Sequence, residues 1–254
     1  MKVYILQTDI VWDDPAANVR NADEAMDKYT DGDLFVLPEM FSTGFCTEPE
    51  GIAEPSDNET VKWMVRKAAE RGCAIAGSIA IVKDGHYYNR FHFVHPDGRI
   101  DIYDKRHLFT YGGEDKRFTA GAGRTVVEHR GVRILLQICY DLRFPVFARN
   151  RGDYDMIIYV ANWPVGRVDV WKLLLRARAL ENQCYVVGVN RVGDDPYCKY
   201  VGGSAIVDAY GKTVAECADG QAEEASAEID LDKLKAFRNK FPVLDDADKF
   251  TIDD

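Results

Sequence analysis

Short apolar blocks alternate with helically spaced stretches along most of this chain, and turn residues punctuate them. Residues 2–9 read as a strand. Asp13-Asp14-Pro15 opens a helix through about Tyr29, with an acidic cap and a proline in the first turn, where no N–H is needed. A second strand, 34–38, ends at Glu39. Residues 59–71 are spaced as a helix. Residues 73–82 and 87–95 flank Asp84-Gly85, a hairpin signal, and Pro96-Asp97-Gly98 turns into a strand at 100–104. Further strands are predicted at 132–138, 156–160 and 185–190, with a short helix at 145–151 and a longer one at 168–183. A second hairpin, 204–207 with 212–217, turns at Tyr210-Gly211. A strand at 225–229, a helix at 231–239 and an acidic tail close the chain.

Helix–strand alternation interrupted by hairpins predicts mixed sheets rather than a purely parallel one. The strands outnumber one comfortable sheet, so two packed sheets with outer helices are expected. No linker, repeat or low-complexity segment divides residues 1–254, which reads as a single domain.

Three apolar runs end on a chemically distinct residue. The run 34–38 delivers Glu39, 100–104 delivers Lys105, and 132–138 delivers Cys139. Strand ends are where ligands bind in open α/β sheets. A carboxylate, an ammonium and a thiol at such ends are the parts of a thiol hydrolase that works without histidine. An unperturbed thiol near pKa 8.5 and carboxylate near 4.3 leave proton transfer uphill by about 6 kcal/mol. A cation beside the sulfur and burial of the carboxylate narrow that gap.

The chain resembles a carbon–nitrogen hydrolase of the nitrilase superfamily. The likeness rests on PEMFSTGF around Glu39, YDKRHLF around Lys105 and QICYDLRFP around Cys139. YGGEDKRFTAG, ANWP and RARALENQCYVVGVNRVG extend it over nearly the whole length. Within the superfamily it is most similar to the omega-amidase branch. The resemblance implies a four-layer α-β-β-α sandwich, a dimer, and catalytic roles for Glu39, Lys105 and Cys139. It also makes Glu114 a second active-site carboxylate, orienting Lys105 or the hydrolytic water. The Tyr140 backbone N–H is the natural partner of Lys105 in holding an oxyanion. Asn162 and Trp163 follow a strand directly and are candidates for the substrate pocket. Arg143 is the candidate for a substrate carboxylate, with pairing to Asp141 or Glu181 as the structural alternative.

The implied reaction is hydrolysis of the terminal amide of a small ω-amido α-keto acid such as α-ketoglutaramate or α-ketosuccinamate. An N-carbamoyl amidase or an aliphatic amidase or nitrilase would use the same groups. A catalytically silent ligand-binding module is the rival from another class, and the intact Glu, Lys and Cys set weighs against it.

Composition narrows the partners. A formal charge of −10 argues against nucleic acid and anionic membranes. The N-terminal stretch lacks a signal peptide's long apolar core and no run reaches transmembrane length, so a cytoplasmic protein is expected. Six cysteines show no CxxC pair. Cys73, Cys184 and Cys217 read as buried small hydrophobes, and Cys46 is the weaker alternative nucleophile. His92 and His95 fall on opposite faces of one strand, so no metal pair is expected, and His107 is the only candidate for a Cys–His dyad. No phosphate loop or dinucleotide fingerprint is present, and no cofactor is expected.

Overall fold

The computed structural model describes residues 1–252. In chain order the elements are β1 (Lys2–Gln7), α1 (Pro15–Asp27), β2 (Leu34–Val36), β3 (Glu54–Pro55), α2 (Glu59–Arg71), β4 (Ala74–Lys83), β5 (His86–Val94) and β6 (Ile100–Asp104). Then come β7 (Val126–His129), β8 (Val132–Ile138), α3 (Pro145–Ala148), β9 (Met156–Ala161), α4 (Val168–Asn182) and β10 (Tyr185–Asn190). The rest is β11 (Val192–Asp194), β12 (Lys199–Val201), β13 (Ala205–Val207), β14 (Thr213–Glu216), β15 (Glu223–Glu228) and α5 (Leu231–Lys240).

Two mixed sheets face each other. The first runs β15-β1-β2-β4-β5-β6, with β3 on β4, and the second runs β14-β13-β10-β9-β8-β7. Alternation within each strand sorts its side chains between two layers. Val3, Ile5, Val36, Ala76, Phe91 and Phe93 of the first sheet meet Ile134, Leu136, Ile158, Val160 and Val187 of the second. On the outer face of the first sheet, Tyr4, Leu6, Phe35 and Ile75 pack under Met26 of α1 and Trp63, Met64 and Ala68 of α2. On the outer face of the second, Leu135, Ile157, Tyr159 and Val186 pack under Trp171, Leu175 and Ala179 of α4. The result is the four-layer α-β-β-α sandwich that the resemblance implied. Gly188 lets α4 lie this close, since a Cβ there would meet Leu175 at 2.4 Å.

The cap predicted for α1 formed. Asp14 accepts from the Ala17 N–H ahead of Pro15, and Gly72 ends α2 in the left-handed conformation. The helix expected over 145–151 stops at Ala148. β7 and the β11–β12 hairpin had no period long enough to be read. No helix among the described residues is long and apolar enough to cross a membrane.

Candidate active site

Parallel strands bring their C-terminal ends to one edge of the sandwich, and the functional side chains leave from there. β2 runs parallel to β1 and β4, and Glu39 follows it. β8 runs parallel to β9 in a register that pairs Ile138 with Val160. That register sets Cys139 beside Asn162, the residues just past the two strands. Lys105 follows β6, whose partner β5 supplies Asn89. The Lys105 N–H donates to the Asn89 carbonyl at 3.0 Å.

Cys139 begins a 3₁₀ turn, Cys139–Arg143, with φ of +44°. A non-glycine residue in the left-handed region is strained and needs surrounding structure to hold it. Asp141 supplies that hold. Its carboxylate, fully buried, accepts from the Ile138 N–H at 2.9 Å, the Tyr103 hydroxyl at 2.8 Å and the His107 N–H at 3.1 Å. The Tyr140 N–H, at the start of the turn, has no acceptor within it.

Glu39, Lys105 and Glu114 form a fully buried ionic cluster. Lys105 Nζ donates to Glu39 Oε1 at 3.0 Å and to Glu114 Oε2 and Oε1 at 2.8 and 3.1 Å. Asn89 Nδ2 bridges the two carboxylates, at 2.7 Å to Glu39 and 3.1 Å to Glu114. The Asn162 N–H donates to Glu39 Oε2 at 2.8 Å, and Asn162 Nδ2 to the Glu39 carbonyl at 2.5 Å. Ser78 completes the ring, donating to Asn89 Oδ1 and accepting from the Met40 N–H, both at 2.9 Å. Glu114 reaches the cluster because Gly113, at φ +82°, turns the chain into a short 3₁₀ segment. Its Oε2 then accepts from the Phe109 N–H at 2.6 Å. The neighbouring Asp115 points to solvent.

The electrostatics follow from burial and these contacts. Burial alone would lower the Lys105 pKa, but Glu114, Glu39 and Cys139 facing it hold it above the ordinary value. Burial, and then the Glu39 charge, push Glu114 up against the pull of Lys105. Burial and the Glu39 carboxylate also push the Cys139 thiol well up, and Lys105 draws it only part of the way back. Burial thus favours the thiol form of this sulfur. The cation expected beside the sulfur does lower its pKa, and desolvation opposes it.

A pocket with an open volume of ≈ 490 Å³ rises above Cys139, lined by Glu39, Lys105, Tyr140, Arg143, Asn162 and Trp163 among others. Every site residue expected from sequence is thus at this edge, with Glu114 just beneath. Arg143 pairs with neither structural alternative. Asp141 is taken as above, Glu181 pairs with Arg178 at 2.9 Å, and the Arg143 guanidinium lies 5.1 Å from the Trp163 ring centre. His107 is not among the residues lining this pocket; its Nδ1 lies 2.7 Å from Asp141 Oδ1 and its ring stacks on Phe144. Cys46 is buried among Met40, Ala80 and Phe118, and burial pushes its pKa up to about 12. No group of three metal-ligating side chains occurs among the described residues.

Sequence reasoning missed Asn89, Phe45, Phe109, Arg167, Cys198 and Tyr200. Asn89 did carry a signal: it shares the inward phase of β5 with Phe91 and Phe93, where a polar residue is out of place. The rest lie in loops and a short hairpin that only the fold brings to this pocket.

Comparison with known proteins agrees with this geometry. Residues 2–239 match the sequence model described as carbon-nitrogen hydrolase. The chain belongs to the carbon-nitrogen hydrolase family. It is 47% identical to the omega-amidase YafV of Yersinia enterocolitica, over 99% of this chain and 98% of that protein. It is 35% identical to the 2-oxoglutaramate amidase of Bacillus subtilis strain 168, over 97% of each. Its structure superposes with a TM-score of 0.97 on XC1258 of Xanthomonas campestris, a CN-hydrolase superfamily protein with an arsenic adduct in its active site, at 41% identity over 100% of this chain and 99% of that one. The chain is accordingly a hydrolase of carbon–nitrogen bonds.

Proposed function

We propose that this carbon-nitrogen hydrolase is an omega-amidase, releasing ammonia from the terminal amide of a small 2-oxo acid such as α-ketoglutaramate or α-ketosuccinamate. The observation that carries the reading is a thiol and a buried Glu–Lys–Glu cluster at the floor of a pocket whose upper lining is cationic and aromatic. Identity to the two amidases named above supports the substrate class.

In the proposed reaction Glu39 takes the Cys139 proton as the sulfur bonds to the amide carbon. The carbonyl electrons move onto oxygen, which Lys105 and the Tyr140 N–H stabilise. The intermediate collapses as Glu39 passes its proton to nitrogen, the C–N bond breaks, and ammonia leaves a thioester. Water then attacks that carbon, Glu39 accepting its proton. The C–S bond breaks, the sulfur regains a proton, and the acid departs. Glu114 keeps Lys105 charged and aimed throughout. The protein is further proposed to work in the cytoplasm as a dimer. Val146 of α3 and Phe241 and Phe250 of the C-terminal segment expose apolar surface that supports such an interface.

The test is ammonia release from a panel holding α-ketoglutaramate, α-ketosuccinamate, glutamine, asparagine, an N-carbamoyl compound and an aliphatic nitrile. α-Ketoglutaramate or α-ketosuccinamate should give the highest kcat/KM. Cys139→Ala and Cys139→Ser should each fall below a tenth of wild-type turnover, because Glu39 is too weak a base for an alcohol. A preferred N-carbamoyl compound or nitrile, or an active Cys139→Ala, would overturn the proposal.

A further inference from the structure

Two guanidinium groups at the pocket have no counter-ion among the described residues. Arg143 comes from the 3₁₀ turn after the thiol, and Arg167 from the 3₁₀ turn before α4. Both line the pocket above Cys139. Each lies over an aromatic face, Arg143 at 5.1 Å from the Trp163 ring centre and Arg167 at 5.4 Å from that of Phe109. Neither pairs with a carboxylate among the described residues. Stacking fixes the plane of a guanidinium without using its N–H donors. The platform is itself rigid: Trp163 Nε1 donates to the Arg167 carbonyl and the Trp163 N–H to Asn190 Oδ1, both at 2.7 Å. The ring beneath Arg143 and the backbone carrying Arg167 are therefore one unit.

The charge balance of the lining points the same way. Lys105, Arg143 and Arg167 face one lining carboxylate, Glu39, and Lys105 is already committed to Glu39 and Glu114. The two arginines are the uncompensated charge of the pocket, in a chain whose net charge is −10. Such a pair is a place for an anion held at a fixed distance from the thiol.

We propose that Arg143 and Arg167 together bind the 2-oxo acid end of the substrate, and that their joint charge selects a 2-oxo group over an α-ammonium on the adjacent carbon. The inference rests on the omega-amidase reading and deepens it. One guanidinium takes the carboxylate in a two-point contact, and the other donates to the 2-oxo oxygen. An α-ammonium at that carbon offers donors to donors and adds a third positive charge. Glutamine, with the same chain length and the same amide, is then rejected on the order of a hundredfold.

The experiment measures kcat and KM for four amides of equal chain length: 2-oxoglutaramate, glutaramate, glutamine and pentanamide. The proteins are wild type, Arg167→Met and Arg167→Lys, each checked for an unchanged melting temperature. In Arg167→Met the preference for 2-oxoglutaramate over pentanamide should fall at least about tenfold, through KM. Its preference for 2-oxoglutaramate over glutamine should fall as well. Arg167→Lys keeps the charge and loses the fork, so KM should rise while rejection of glutamine persists. Equal losses on all four amides, or no change in either preference, would overturn the two-arginine site and leave the omega-amidase reading standing. A wild-type enzyme that prefers pentanamide to 2-oxoglutaramate would overturn both.

Discussion

Replacing Lys105 with Met keeps most of the length of the side chain and removes its charge and donors. Three buried hydrogen bonds go with the ammonium, one to Glu39 at 3.0 Å and two to Glu114 at 2.8 and 3.1 Å. Two carboxylates then remain in a dry cluster, tied to one another only through the amide of Asn89. Removing one partner of a buried ion pair costs about 3–5 kcal/mol. Proton uptake relieves part of that cost, and Glu114 takes the proton, because burial and the Glu39 charge already push its pKa up and Lys105 no longer opposes them. A carboxyl whose folded pKa is raised binds more protons folded than unfolded. Its contribution to stability is present at low pH and is lost as pH rises through the folded value. The destabilisation of Lys105→Met relative to wild type, read by urea titration, should therefore be smaller at pH 5 than at pH 8. Turnover should fall about 10²- to 10³-fold, the scale of one oxyanion donor. Lys105 is also the cation that lowers the Cys139 pKa, so alkylation by iodoacetamide should slow at neutral pH. A variant that alkylates at the wild-type rate across pH, or whose destabilisation is independent of pH, refutes the reasoning.

The remaining predictions concern parts that support the site or lie away from it. Asp141→Ala removes the acceptor of the Tyr103 hydroxyl and of the Ile138 and His107 N–H groups, and should cost about 3 kcal/mol, or roughly 6–12 °C in melting temperature. An unchanged melting curve would show that the turn at Cys139 holds itself. His92 is buried, and burial and the nearby Arg90 push its pKa down to about 3. Its neutral form stabilises the fold above the ordinary histidine pKa, and that stability is lost as pH falls towards the folded value. Between pH 6.5 and 4.5 wild type should therefore lose up to about 3 kcal/mol more than His92→Leu in denaturant titrations, and parallel curves would contradict this. The C-terminal segment is tied to its own chain by Gln183, which donates to the Phe241 carbonyl at 2.7 Å, and by Arg151, 5.0 Å from the Phe250 ring centre. Deleting residues 242–254 should weaken the proposed dimer in light scattering, and a truncated dimer of unchanged melting temperature would reject that role.

Local pattern determined most of the secondary structure. Period and punctuation located the hairpin at Asp84-Gly85, the N-cap of α1, and the three strands that lead to Glu39, Lys105 and Cys139. Those features are set by neighbours a few residues apart, so they are written in the chain's own order. The resemblance in the flanking motifs added Glu114, which no spacing rule reaches. Other features depended on distance through space. Asn89 between two carboxylates, Arg167 over Phe109, and the Cys198–Tyr200 side of the pocket join segments far apart in sequence. The balance of effects on the sulfur's pKa was also decided there. A cation beside Cys139 is legible in a motif, but the depth of burial and the sharing of that cation by two carboxylates are not. Desolvation depends on everything packed around a group, and only the closed sandwich sets that.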